Sequence, residues 1–389
     1  MNIRSERVQS LPPYIFSRIN KRKKELQQEG MDMIDLGIGA PDFPTPEFII
    51  DELIKEAKNP SNHRYSPYGG CQEFREAVAE FYQKRYGVTL DPDKEVLTLI
   101  GSKEGIANLI SAVLNPSDTV MVPDPGYPVY ESAIHLAGGK SLYLPLDASN
   151  YFQPNFELIP DEHYQSIKLM LLNYPNNPTA GTCELNTFKK AVSLAKQHDF
   201  VIAQDAAYDL MTFEDYRAPS LLQVNGAKDV GVEFGSLSKS FNMTGWRIGY
   251  VVGNQDLIDA LATVKSNTDT SQFLPIQKAG AKALRSDLQA VHENNAIYEE
   301  RLNHVISALD DMGIKVQKPR GTFYVWAEVP EGFTSMGFSE ELMEKTGVIV
   351  TPGNVFGTSG EGYFRISLSH PKDRLLEAVR RMNELLMEV

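Results

Sequence analysis

Through the middle of this 389-residue chain, apolar runs of five to seven residues alternate with segments of helical period. The runs Glu95–Ile100, Thr119–Pro123, Ser141–Leu146, Ile167–Asn173, Phe200–Gln204, Val230–Phe234 and Ile248–Gly253 predict strands. Amphipathic stretches at Glu104–Leu114, Tyr130–Leu136 and Leu185–His198 predict helices between them. Strands joined through helices of this length imply right-handed crossovers and an α/β fold, with a mostly parallel sheet covered on both faces. After about residue 285 the pattern changes. A long polar helix over Leu288–Met312 precedes short strands at Lys315–Gln317, Thr322–Glu328, Val348–Thr351 and Tyr363–Ser369. A helix around Ser339–Thr346 and a last one from Lys372 complete a smaller α+β domain. The expected division is a large domain over 47–287 and a small one over 288–389, with residues 1–46 packing against the small one.

Composition narrows the function. The length and a 42% hydrophobic content allow a large core. A formal net charge of −13 argues against a nucleic-acid partner, because phosphate backbones need a basic face. The one basic run, Lys21-Arg22-Lys23-Lys24, reads as the exposed side of an N-terminal helix. Cys71 and Cys183 form no disulfide framework, and neither they nor the seven histidines show metal-ligand spacing. The N-terminus lacks the apolar stretch of a signal peptide, and no run approaches the roughly 20 residues of a membrane span. A soluble cytoplasmic protein without a metal is expected.

The chemistry-bearing residues cluster just after predicted strands, where parallel sheets bind their ligands. Lys239 lies in Ser-Leu-Ser-Lys-Ser (236–240), among hydroxyls and eight residues before Arg247. An amine there can form a Schiff base with a carbonyl cofactor, while the hydroxyls and the arginine hold an anion; a solvated lysine is the plainer reading. Gly101-Ser102-Lys103-Glu104-Gly105 opens a helix and offers backbone amides to a phosphate, although an ordinary strand–helix turn favours the same residues. In Asn173-Tyr-Pro-Asn-Asn177-Pro-Thr179 two prolines stiffen a turn that would aim the Asn177 amide at a ligand, or serve only as a turn. Asp205, with Tyr208 three residues on, suits a cationic ring nitrogen or, equally, a helix N-cap. Tyr127 offers a stacking face or core packing. Arg365 sits within an apolar strand and needs an anion, either a ligand carboxylate or a protein one.

Gly39-Ala40-Pro41-Asp42, Tyr65, Gly101-Ser102-Lys103, Asn177-Pro178-Thr179, Asp205-Ala-Ala-Tyr208, Ser236-Leu-Ser238-Lys239, Arg247 and Arg365 occur in one order, from about residue 30 to the C-terminus. Together they resemble the class I/II aminotransferases, pyridoxal 5′-phosphate enzymes of fold type I. The resemblance implies that Lys239 joins the cofactor and serves as the general base, and that Asp205 pairs with its ring nitrogen. Asn177 and Tyr208 would then hydrogen-bond its phenolic oxygen, and Tyr127 would stack on its ring. Ser102, Lys103, Ser236, Ser238 and Arg247 would surround its phosphate. Arg365, assisted by the Gly39 backbone, would take the substrate α-carboxylate. Tyr65 would reach the phosphate of a neighbouring subunit, making a homodimer with shared active sites. Where the family reads Asn-Pro-Thr-Gly, this chain has Ala180 before Gly181, which is expected to shift the turn by one residue. The implied reaction moves an amino group from an L-amino acid to 2-oxoglutarate by a ping-pong route. In motif the nearest branch acts on LL-diaminopimelate and aspartate, with alanine as another candidate donor. A carbon–sulfur β-lyase on the same scaffold is the alternative.

Overall fold

The computed structural model describes residues 3–11 and 15–387; residues 1–2, 12–14 and 388–389 lie outside the description. Seven strands form the central sheet: β1 Val96–Leu99, β2 Thr119–Asp124, β3 Lys140–Pro145, β4 Ile167–Asn173, β5 Val201–Asp205, β6 Gly231–Ser236 and β7 Gly249–Gly253. Their order across the sheet is β1-β7-β6-β5-β4-β2-β3. Only β7 runs antiparallel to its neighbours. β1, β6 and β7 are buried at every position, as expected of strands covered on both faces. The edge strand β3 instead exposes Lys140, Tyr143 and Pro145, a polar and proline-marked rim that resists edge pairing.

Cores lie on both sides of the sheet. Phe74, Phe188, Ile202 and Tyr250 belong to one; Leu99, Ile106, Val120 and Phe234 belong to the other. A separate core, with Leu302, Phe323, Phe338 and Phe364, lies around a three-stranded antiparallel sheet of Thr351–Pro352, Tyr363–Ser367 and Tyr324–Glu328. Helices Gln289–Asp311, Ser335–Thr346 and Lys372–Met387 contribute to it. The N-terminal Ile34–Asp35 pairs in parallel with Val348–Ile349, and Asp32 takes both Arg374 and Arg381.

Three expectations are corrected. Lys315–Gln317 is not a strand: Val316 makes one isolated bridge to Ala327. The predicted strand Val348–Thr351 is two, because Val348–Ile349 pairs with the N-terminal segment whereas Thr351–Pro352 pairs with Tyr363–Ser367. The basic run does lie on a helix, Ile15–Gln28, but Arg22 and Lys23 are half-buried. They pair with Glu344 and Asp35, fastening the helix to its surroundings.

Among the described residues no helix is long and apolar enough to cross a membrane. None of their His, Cys, Asp and Glu side chains form a group of three that could hold a metal.

Candidate active site

Register brings the strand-end residues together. In adjacent parallel strands Asn173 of β4 lies opposite Asp205 of β5, and Asp205 lies opposite Phe234, two residues before Ser236. The carboxyl ends therefore present Asn173, Asp205 and Ser236 side by side along one rim of a cleft of about 490 Å³. Ser102, Lys103, Tyr127, Asn177, Tyr208, Ser238, Lys239, Arg247, Gly39 and Arg365 all line that cleft. Tyr65 does not line the cleft of its own chain and stands 89% exposed.

The anion-binding end is built from backbone. Helix Ser102–Val113 starts after Gly101, whose φ of +82° suits glycine. Glu104 accepts the Ile100 amide at 3.1 Å and so ties down the turn. Ser236 accepts the Ser238 amide at 3.2 Å, holding the second hydroxyl-bearing turn. Arg247, itself in the left-handed region at φ +56°, donates to the Thr244 carbonyl at 2.8 Å. A Cβ on Gly101 would come within 2.3 Å of the Arg247 guanidinium, so only a bare backbone lets the arginine lie over the helix start.

Asp205 is buried, and burial pushes its carboxyl up to about 6 from an ordinary 3.8. Two donors oppose that shift: the Tyr130 hydroxyl at 2.8 Å on one oxygen and the Ala207 amide at 3.2 Å on the other. No helix follows Asp205, so the N-cap reading is corrected: one oxygen holds the local turn at Ala207 and the other takes the remote Tyr130 hydroxyl. Lys239 donates to the Gly39 carbonyl at 2.6 Å and lies over the rings of Phe323 and Tyr208 at 5.6 and 5.9 Å. Burial lowers its amine below the usual lysine value, and Arg365 and Arg247 push it the same way.

Arg365 lies between the rings of Tyr324 and Phe356, at 4.1 and 4.8 Å. It donates to Asn177 Oδ1 at 2.6 Å and to the Gly37 carbonyl at 2.8 Å, and its buried Nε has no partner. Among the described residues no carboxylate pairs with it, so the protein ion pair weighed from sequence is absent. The backbone carbonyl it meets belongs to Gly37; that of Gly39 meets Lys239.

The turn after Asn177 is held locally. Ala180 itself adopts φ +57°, the left-handed conformation. Asn176 secures it by accepting the Thr179 amide at 3.0 Å and hydroxyl at 2.8 Å.

Tyr130 and Tyr324 were not singled out from the sequence. They fall within the predicted helix Tyr130–Leu136 and strand Thr322–Glu328, and their partners lie 75 and 116 residues away.

The profile described as "Aminotransferase class I and II" matches residues 31–382. The chain belongs to that family. It is 49% identical over 385 residues to an LL-diaminopimelate aminotransferase of Moorella thermoacetica, covering 99% of each chain. To one of Aquifex aeolicus it is 47% identical, covering 98% of each. The substrate-bound BacF structure from Bacillus subtilis superposes with a TM-score of 0.95 at 39% identity, covering 99% of this chain and 98% of that one. This aminotransferase therefore depends on pyridoxal 5′-phosphate and transfers an amino group between amino-acid and oxo-acid substrates. The β-lyase alternative finds no support among these relatives. The site fits the cofactor: bare amides, hydroxyls and Arg247 gather at one end, an unneutralised buried carboxylate faces the middle, and a lysine amine stands free of any carboxylate.

Proposed function

We propose that this chain moves the amino group of LL-diaminopimelate to 2-oxoglutarate, working as a cytoplasmic homodimer. The convergence of Lys239, Asp205 and Arg365 on one cleft carries the reading of the reaction. Full-length likeness to enzymes named for that donor favours the substrate. When bound, the cofactor supplies the carbonyl carbon that takes the amino group and an electron-accepting ring.

The protein's residues then have distinct tasks. Arg365, held flat between two rings and with an unpaired Nε, binds the α-carboxylate bidentately. That fixes the amino acid so that its Cα proton faces Lys239. The lysine amine, lowered by burial and paired with no carboxylate, takes that proton and returns one in the second half-reaction. Asp205 holds the cofactor's ring nitrogen. Asn177 and Tyr208 hold its phenolic oxygen, and Tyr127 stacks on the ring. Ser102, Lys103, Ser236, Ser238 and Arg247 surround its phosphate. The exposure of Tyr65 leaves it free to serve a neighbouring subunit's phosphate. The same reading assigns 47–287 to a cofactor domain and 288–389 to the smaller one, with helix Ile15–Gln28 and Ile34–Asp35 joining the smaller. Arg7 and Ser10 instead bond Leu136 and His135 of the larger, which corrects the expected packing of the whole segment 1–46.

A donor panel tests the proposal. With 2-oxoglutarate as acceptor, LL-diaminopimelate is expected to give a kcat/KM at least about tenfold above aspartate or alanine, a preference of about 1.4 kcal/mol. A higher value for aspartate or alanine would replace the donor, and no turnover of any L-amino acid would overturn the reaction itself. The phosphate assignment makes its own prediction. Gly101→Ala crowds Arg247 and strains a positive φ, so cofactor affinity should fall roughly 10- to 100-fold, the worth of one charge-assisted hydrogen bond. Titration of cofactor-free protein by absorbance measures it, and an unchanged affinity would remove Arg247 from the phosphate site.

A further inference from the structure

Tyr324 touches three parts of this site: Tyr208, Arg365 and the loop at Gly39. Its hydroxyl lies 3.0 Å from that of Tyr208. Its ring stacks under the Arg365 guanidinium at 4.1 Å. Its oxygen lies 1.8 Å from where a Cβ on Gly39 would stand, so the loop whose carbonyl holds Lys239 packs directly against it. Its own position is fixed: it is 2% exposed, begins the strand Tyr324–Glu328, and its amide donates to Thr322 Oγ1 at 3.0 Å.

We propose that Tyr324 is a positioning residue for amino transfer, its hydroxyl orienting the Tyr208 proton into the cleft and its ring holding Arg365 flat. The inference rests on the reading of Lys239, Tyr208 and Arg365 given above. Two buried hydroxyls at this distance share one proton between them, which leaves the other proton free to point elsewhere. Both tyrosines line the cleft, but the Tyr324 oxygen is crowded by the Gly39 backbone, and Tyr208 is the one read above as the donor to the cofactor's oxygen. An acceptor in the cleft therefore selects the arrangement in which Tyr324 donates to Tyr208 and Tyr208 donates outward. Hydrogen bonds in such a chain strengthen one another, so the outward donor is stronger than an isolated phenol. Gly39 belongs to the same device, because a side chain there would displace the Tyr324 hydroxyl.

Two variants separate the two functions. Tyr324→Phe keeps the ring under Arg365 and deletes the relay. Its KM for the amino donor should stay within twofold, while kcat falls about tenfold. The pH midpoint of the bound cofactor's absorbance change should rise by about one pH unit, because the anionic form of the cofactor oxygen loses support. In a Tyr208→Phe background the same substitution should move that midpoint no further. Tyr324→Leu also removes the ring and should raise KM at least about tenfold. A wild-type midpoint in Tyr324→Phe overturns the relay, as does an equal shift in both backgrounds. An unchanged KM in Tyr324→Leu overturns the support of Arg365. Wild-type turnover and its loss in Lys239→Ala are measured alongside, so failure of the underlying site reading shows separately.

Discussion

Lys239→Ala is expected to retain the cofactor but lose on the order of 10⁴-fold or more in kcat. The amine is placed to act as both nucleophile and base, and no other residue described around it can replace it. Its contacts are the Gly39 carbonyl and the faces of two aromatic rings, none of which can accept and return a proton near neutrality. Cofactor retention follows because the hydroxyls of Ser102, Ser236 and Ser238, the amides at Gly101–Lys103 and the Asp205 carboxylate all survive the substitution. Lys239→Arg sharpens the test: it preserves a cation but offers a group that does not deprotonate, so it should be no more active than the alanine variant within about tenfold. Stopped-flow measurement of the donor half-reaction in both variants decides the matter. Recovery by arginine would mean that the position contributes charge alone, and undiminished turnover in alanine would mean the lysine is misassigned.

Much of this site could be read before any coordinates because its residues sit at strand ends. Asn173, Asp205 and Ser236 follow apolar runs, and parallel register then forces them into one row. What stayed illegible depends on contacts distant in sequence or on backbone choices a residue type does not announce. Tyr130 reaches Asp205 across 75 residues from the buried face of a helix that reads as ordinary core. Tyr324 lies in an apolar strand, where alternation cannot say that its hydroxyl meets that of Tyr208. Ala180 takes a left-handed conformation that its type disfavours by roughly 1–2 kcal/mol, held by the Asn176 side chain on the turn. Lys23 looked solvated because Asp35, its partner, lies beyond the end of its own helix. The short strands near residue 350 broke apart because the N-terminal segment pairs with half of them, and periodicity carries no information about partners.

Asp205→Asn is expected to stabilise the cofactor-free protein while crippling the enzyme. The carboxyl lies at about 6 in the fold against an ordinary 3.8, chiefly through burial. A group raised by folding favours the folded state only while protonated. Its contribution is whole below about pH 4 and is lost as pH rises through about 6, leaving a cost of roughly 3 kcal/mol at neutrality. Asparagine avoids that cost and can keep both local bonds, its oxygen accepting the Ala207 amide and its NH₂ donating to the Tyr130 hydroxyl. Thermal unfolding of cofactor-free samples should therefore show the variant melting several degrees higher at pH 8. The gain should shrink below pH 6 and nearly vanish by pH 4. The opposite holds for turnover. An uncharged amide cannot keep a proton on the cofactor's ring nitrogen, so kcat should fall on the order of 10²–10³-fold, as when a preorganised electrostatic partner is removed. Both halves follow from one fact: the fold leaves a buried carboxylate short of a cation, which is costly without the cofactor and useful with it. A variant that melts lower than wild type at pH 8 would contradict the first half. One that keeps turnover within threefold would remove Asp205 from the ring nitrogen.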